Sequence, residues 1–574
     1  MDKKLTGYPS IDKPWLKYYQ KDIPALPDVD QGMYLFLKEN NSAHLENIAL
    51  NYFGNKISFG EMFENIDKVA DALKVHGVRK GDIVSVCPLN CPEFFYLFYA
   101  INKVGAVSNW IGLTSSEVDL REQLKSTRST MVFTVSVAYE NIIKATEGTE
   151  VRLIINVPIE NSMPFLMKSV VRAKGIMKRH TRYEWQTFLK IATVKNNVDI
   201  VSGSELALIE YTGGSTGIPK GVMLNNKAMN SYYANFYGAN YCGLSAYKRN
   251  DRYLCAVPLF LALGISACCH GPLCHGMELV LAPDPSPKAG TKIIIRSKVN
   301  HLVCGRQHVE GLLAEVKNTS IDLSHISSIM YGGEETNKTW ENMIKEKLKH
   351  NKMNAPVLNG YGMTESAAAI FIELDDGIDG LIPLANVNAK IVDPNDCSIE
   401  YGYDVEGELC ISTDTIMQGY YKKEQESTDI LFEENGVKWM KTHDLAKISR
   451  DGHIKITGRI KRIYCKLDSD DITIRVYPMR IEETIQKVNE VKACAVVGVK
   501  DDVIVYRTIA YIIPENISGD KEILRNQIEA ICCKELPKSH VPDEYIFVDS
   551  FPLTRAGKVD YRSLEGMAIQ ELTI

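Results

Sequence analysis

Residues 206–224 read LALIEYTGGSTGIPKGVML. The apolar run LALIEY is a predicted strand, and GVML reads as the next one, so the nine residues between them form a loop entered and left by strands. Gly213, Gly214 and Gly217 carry no Cβ, which lets the chain turn sharply and bring backbone N–H groups close to an anion. Thr212, Ser215 and Thr216 add hydroxyls and Lys220 a point charge. The stretch is composed to hold phosphate. It is not a Walker A loop, because G-x-x-x-x-G-K-[ST] is absent and Lys220 is followed by Gly221. Taken alone, it also reads as a glycine-rich hairpin turn with an incidental lysine.

Outward from this loop the pattern alternates helices with strands. A helical run covers 59–76, and a β-branched run at 82–86 follows the turn Arg79-Lys80-Gly81. Similar units recur to Asn354, with an amphipathic helix at 338–351. This rhythm predicts α/β layers. The first residues, to about Asp28, are rich in Pro and Tyr and read as a surface wrap. Over 382–458 the texture becomes short β-rich runs (NAKIVD, GELCIS, HIKITG) separated by Gly, Asp and Asn, a small β subdomain. After Gly458 the order is helix, two strands, helix, strand, a compact α+β unit. The expected architecture is α/β: a large N-terminal domain, 1–458, of layered sheets and helices with the β subdomain at about 382–458, then a small C-terminal α+β domain, 459–574.

At 574 residues the chain exceeds one hydrophobic core, and 45% hydrophobic with 24% charged residues is an ordinary globular balance. A net charge of −6 with no long Lys/Arg block excludes nucleic acid as an expected partner. The 14 cysteines are scattered without a CxxC pair, and the chain opens MDKKLTGYPS without an apolar signal region, which points to a reducing cytoplasm. Residues 258–272, PLFLALGISACCHGP, are apolar but too short and interrupted to form a transmembrane segment.

The pattern T-G-G-S-T-G-x-P-K-G resembles the phosphate loop of the adenylate-forming superfamily: acyl-CoA synthetases, luciferases and the adenylation domains of peptide synthetases. Further motifs follow in the family's order. Asn359-Gly360-Tyr361-Gly362-Met363-Thr364-Glu365 is similar to its second signature, which implies Tyr361 against adenine, Thr364 at the α-phosphate and Glu365 as the Mg2+ ligand. Tyr331-Gly332-Gly333-Glu334 resembles the strand end bordering the adenine and acyl pockets. Thr442-His443-Asp444 resembles Thr-Gly-Asp, whose Asp receives the ribose hydroxyls, with His443 in the place of Gly. Arg459, after Gly458, falls where the family contacts the nucleotide, and Lys461 where it has its hinge. Pro552-Leu553-Thr554-Arg555-Ala556-Gly557-Lys558 matches P-x-T-x-x-G-K, which implies that Lys558 bridges the substrate carboxylate and the α-phosphate. The resemblance implies an ATP- and Mg2+-dependent ligase that makes an acyl-AMP and passes the acyl group to a thiol, its C-terminal domain rotating between the two steps.

The acid is read from Pro258-Leu259-Phe260-Leu261-Ala262-Leu263-Gly264, similar to the family's pocket motif. It contains no acidic residue to pair with a substrate ammonium, which disfavours amino acids. Phe260 and Leu261, with Gly332, form the expected acyl pocket, suited to a fatty or other apolar carboxylic acid; they also read as plain core. Cys268, Cys269, His270, Cys274 and His275 offer zinc-type ligands at poor spacing, and core cysteines are the default reading. The stretch from Cys465 to Thr473 is acidic, with Asp468, Asp470 and Asp471, and puts Thr473 where the family's pantetheine tunnel has Gly. The thiol acceptor is therefore left as coenzyme A or the pantetheine of an acyl carrier protein, beside a non-catalytic nucleotide-binding relative as a third reading.

Overall fold

The computed structural model describes residues 5–19, 28–165, 167–169, 183–190, 199–212, 219–241, 247–332, 338–462, 464–467, 473–501, 505–516, 520–554 and 558–572. Two large sheets face one another across the main core. In one, Leu153–Asn156, Met131–Thr134, Ile83–Cys87, Val107–Trp110 and Leu206–Tyr211 run parallel, and Gly221–Asn225 then Gly419–Tyr420 add antiparallel at the edge. In the other, Ile48–Tyr52, Glu278–Leu281, Arg252–Cys255, His301–Cys304, Ser328–Gly332 and Val357–Met363 are parallel. Antiparallel strands from Ala368–Glu373 onward extend it.

The helix Phe59–Val75 shows how sequence sets these layers. Ser58 Oγ accepts from the Glu61 N–H at 3.2 Å while Glu61 Oε2 accepts from the Ser58 N–H at 2.8 Å, a reciprocal cap worth about 1 kcal/mol against Ala. Its buried residues Phe59, Met62, Phe63, Ile66, Val69, Ala70 and Leu73 recur at three- and four-residue steps, so one stripe faces the core. Gly77, at φ +90°, ends it, with the Val78 N–H bonded to the Leu73 carbonyl. The next helix, Pro92–Lys103, is buried on every side and fills the space between the sheets.

The β-rich stretch is not a sheet of its own. Its strands Ile454–Arg459, Val437–Ile448, Gly407–Ser412 and Asn388–Val392 continue the second sheet through the pairing of Leu381 with Ile454. The N-terminal residues wrap onto this end: Trp15 is buried, Ser10 Oγ donates to Glu400 at 2.6 Å, and the Tyr403 hydroxyl donates to Asp12 at 2.8 Å. After Arg459 a three-stranded sheet, Val491–Asp501, Val505–Pro514 and Glu544–Phe547, is covered by Pro478–Ile485 and Lys521–Glu535 on one face and Tyr561–Leu572 on the other. The layered α/β body followed by an α+β unit is the architecture expected. Among the described residues no helix is long and apolar enough to cross a membrane.

Candidate nucleotide site

Tyr211 and Gly221 are cross-strand partners, so the loop closes a β-hairpin. The Thr212 N–H donates to the Lys220 carbonyl at 3.1 Å, and Thr212 Oγ1 accepts from the Lys220 N–H at 3.3 Å. Gly213, Gly214, Ser215, Thr216 and Gly217 lie outside the described residues. The strand Gly419–Tyr420 joins the hairpin's outer edge, pairing Tyr420 with Val222, and brings two groups with it. Glu426 Oε2 lies 2.7 Å from Lys220 Nζ, which also sits 4.6 Å from the centre of the Tyr420 ring. The Tyr420 hydroxyl donates to Glu365 Oε1 at 2.7 Å. Lys220 and Lys423 hold the Glu426 carboxyl below its ordinary range, while burial and the Glu365 charge push the Tyr420 hydroxyl up. Sequence reasoning missed Tyr420 and Glu426; Gly419-Tyr420 in a β-rich run was their only local signal.

The second signature lies at the end of Val357–Met363, a strand of the other sheet. Gly332 and Gly360 are paired, and a Cβ on Gly332 would sit 2.5 Å from the Gly360 carbonyl, so glycine is required for this approach. A Cβ on Gly362 would meet the Ala368 carbonyl at 2.0 Å, and the pairing shifts register there. The Asn359 N–H donates to the buried Glu373 at 3.2 Å. Gly333 and Glu334 lie outside the described residues.

Tyr361 meets Asp444 and Arg459 in one array. Its hydroxyl donates to Asp444 Oδ2 at 2.5 Å, Arg459 Nε donates to Asp444 Oδ1 at 2.7 Å, and its ring stacks on Phe371 at 5.5 Å. Asp444 and Arg459 face each other across antiparallel strands. The Asp444 carboxylate raises the Arg459 pKa further, and burial with the same carboxylate raises that of Tyr361. Each Asp444 oxygen has a second lone pair, so the array retains two acceptors for a diol. His443, one residue before, has φ +59°, the left-handed region that favours glycine. Its Nδ1 lies 3.1 Å from buried Glu408, a contact that offsets part of the strain.

Phe260 and Leu261 are half-buried against the main core, and a Cβ on Gly112 would come 3.6 Å from the Phe260 ring. Beyond them Leu263–His270 is a π-helix, with Gly264 packed where a Cβ would strike the Pro258 carbonyl at 2.1 Å. Cys268, Cys269 and Cys274 are free and buried; His270 lies 3.1 Å from both Tyr99 and Asn230, and burial pushes its pKa down to about 3.

Lys461 sits in the single turn Ile460–Arg462, followed by Arg462 at 2.5 Å from Glu482. Thr473 faces Leu467 in a hairpin whose residues 468–472 lie outside the described set. Lys558 lies on an exposed hairpin of the C-terminal unit: its N–H donates to Thr554 Oγ1 at 3.2 Å, and Leu553 pairs with Val559. Arg555, Ala556 and Gly557 are outside the described residues. For a divalent cation, Glu365 supplies carboxylate oxygens next to the loop lysine, and Thr364 stands beside it in the turn Thr364–Ser366; this oxygen set suits Mg2+.

The AMP-binding enzyme family matches residues 37–421, and the AMP-binding enzyme C-terminal domain matches 480–558. A long-chain-fatty-acid–CoA ligase of Bacillus subtilis (strain 168) is 24% identical over 578 residues, covering 96% of this chain and 97% of the relative. The structure of the anthranilate CoA ligase AuaEII in complex with anthranoyl-AMP superposes with a TM-score of 0.80 at 21% identity, covering 96% of this chain and 99% of that one. That of the Bacillus subtilis O-succinylbenzoate coenzyme A synthetase with ATP and magnesium gives 0.72 at 21%, covering 92% and 99%. The loop, the Tyr361–Asp444–Arg459 array and the trailing α+β unit therefore belong together: the chain is a member of the AMP-binding enzyme family, an adenylate-forming ligase of the acyl-CoA synthetase type.

Proposed function

We propose that this ligase activates a non-amino-acid carboxylic acid with ATP, releasing pyrophosphate, and transfers the acyl group from acyl-AMP to coenzyme A. The observation that carries the reading is the convergence of Tyr361, Asp444 and Arg459 on one array beside the Glu365–Tyr420–Lys220 cluster. Asp444 receives the ribose hydroxyls, Tyr361 stacks on adenine with Asn359, Gly360 and Gly362 shaping that wall, and Arg459 contacts the nucleotide. Gly333 and Glu334 belong to the same nucleotide-binding set. Thr212 through Gly217 cradle the triphosphate with Lys220. Glu365 would hold Mg2+, which when bound would neutralise charge on the phosphates. Thr364 donates to the α-phosphate, and Lys558 lies between the two anions that must approach, where a placed cation lowers the barrier.

The body 1–458 holds both substrates. The unit 459–574 turns about Lys461, withdrawing Lys558 and bringing the hairpin that carries Thr473 to the site for thiol transfer. Phe260, Leu261 and Gly332 bound the acyl pocket, and the apolar Pro258–Gly264 motif argues against a substrate ammonium there. The relatives named as CoA ligases support coenzyme A as the acceptor. Acid-dependent exchange of pyrophosphate into ATP tests the first step; absence of exchange across fatty and aryl acids overturns it. A thioester formed with a carrier protein and never with free coenzyme A overturns the acceptor.

A further inference from the structure

One row of side chains crosses the hairpin sheet on its inner face. The register places Tyr420 beside Val222, Val222 beside Glu210, and Glu210 beside Trp110. Residues paired across strands project to the same face, so Glu210 shares the side on which Tyr420 binds Glu365. At about 4.8 Å per strand, Glu210 stands about 10 Å from Tyr420, and about 7 Å along its strand from Thr212, where the phosphate loop begins. At the other end of the row Trp110 packs edge-on against Phe98, and a Cβ on Gly112, two residues on, would come 3.6 Å from the Phe260 ring of the acyl motif. The row thus runs from the metal-ligand carboxylate to the acyl pocket.

Glu210 and Trp110 are both fully buried. Neither Glu210 oxygen nor Trp110 Nε1 has a hydrogen-bond partner among the described residues. A carboxyl and an indole N–H side by side without partners are costly in an apolar interior, and such groups are retained where a ligand completes them. Burial alone pushes the Glu210 carboxyl up to about 8, so at neutral pH it holds its proton and offers one donor with acceptor lone pairs. A hydroxyl matches this set: it accepts from the indole N–H and both donates to and accepts from the carboxyl. An ammonium cannot accept from Trp110, and an unbroken hydrocarbon satisfies none of the three.

We propose that Glu210 and Trp110 form a hydrogen-bonding station in the wall of the acyl site, and that the acid this ligase activates carries a hydroxyl on an otherwise apolar body. This rests on the adenylating function proposed above. It makes Glu210 a specificity residue two residues before the phosphate loop, where the motif itself assigns it nothing.

The test uses the full-length chain with MgATP and sets of acids of equal carbon skeleton, each comprising the parent, its hydroxy derivatives and its amino derivatives, read by pyrophosphate exchange. The wild type is expected to favour a hydroxy acid over its parent by at least about tenfold in kcat/KM, the scale of one well-placed hydrogen bond. Glu210→Leu should collapse that ratio to below about threefold, while Glu210→Gln, which keeps a donor and an acceptor, retains most of it. If Glu210→Leu does not fold, Trp110→Phe must lower the ratio. Equal use of parent and hydroxy acids, a preference for the amino acids of the sets, or an unchanged ratio in the variants overturns the station while the adenylating reading stands. If no acid supports exchange, the adenylating reading falls, and equal melting-temperature shifts from parent and hydroxy acids overturn the station separately.

Discussion

Replacing Glu210 by Gln should stabilise the protein in a pH-dependent way. The folded carboxyl titrates at about 8 because burial alone disfavours its charge, whereas the unfolded group titrates near the ordinary glutamate value of 4.5. Between these values the unfolded chain loses the proton and the folded chain keeps it, so unfolding is increasingly favoured as pH rises. The stability is fully present below about 4.5 and falls until about pH 8, above which both states are ionised. At about 1.36 kcal/mol per pH unit, ionisation of the unfolded state favours it by roughly 0.8 kcal/mol at pH 5 and roughly 3.4 kcal/mol at pH 7, a difference of about 2.6 kcal/mol. Gln has nearly the same shape and cannot ionise, and every other titrating group is common to both proteins and cancels. For a body of roughly 460 residues the unfolding entropy is about 1 kcal/mol per kelvin, so the midpoint difference should grow by about 2–3 °C between pH 5 and pH 7. Thermal unfolding of both proteins at one scan rate, in steps from pH 5 to 9, measures it; the gap should level off above pH 8. A gap that is flat or shrinks with rising pH would show that the folded carboxyl is not held neutral, and the argument from its burial would fail.

Asp444→Asn replaces an acceptor oxygen by a donor facing Tyr361 or Arg459, so ATP affinity should fall by at least about tenfold in calorimetry, charge-assisted bonds being worth about 1.5–3 kcal/mol each. With 2′,3′-dideoxy-ATP the same substitution should cost far less; equal losses would remove the ribose from the Asp444 assignment. Lys558→Ala should lower pyrophosphate exchange by about a hundredfold or more while ATP affinity stays within about threefold; unchanged exchange would remove its assigned role. Tyr420→Phe deletes the hydrogen bond that orients Glu365, so the Mg2+ concentration for half-maximal ATP binding should rise about tenfold. An unchanged midpoint would leave Tyr420 as packing only.

What was legible in the chain was whatever is local. The Ser58–Glu61 cap and the stripe from Phe59 to Leu73 write a helix in its own residues, and the strand–loop–strand around Lys220 is likewise local. Gly332 and Gly362 have a reason only a partner strand reveals, a carbonyl at a distance no Cβ could tolerate, yet their motif marked them beforehand. Tyr420, Glu426 and Glu210 were illegible for a shared cause. Each acquires its surroundings from a pairing set far away in sequence: Tyr420 by a strand nearly 200 residues after the hairpin it joins, Glu210 by the register that sets it beside Trp110. The 382–458 strands depend on a distant pairing in the same way, because the bridge from Leu381 to Ile454 makes them extend the second sheet.

His443 shows how such a distant partner changes the meaning of a local departure. Read in sequence, a His where relatives of the motif carry Gly counts against the nucleotide site. In the fold the position has φ +59°, the left-handed region that favours glycine, so the family's glycine has a backbone reason. A non-glycine residue there costs on the order of 1–2 kcal/mol, which falls on stability. Glu408, buried on the adjacent strand, lies 3.1 Å from the imidazole and offsets part of it. The neighbouring Asp444 keeps its bonds to Tyr361 and Arg459 undisturbed. The departure from the motif is thus absorbed by the sheet, and Tyr361, Asp444 and Arg459 keep their array.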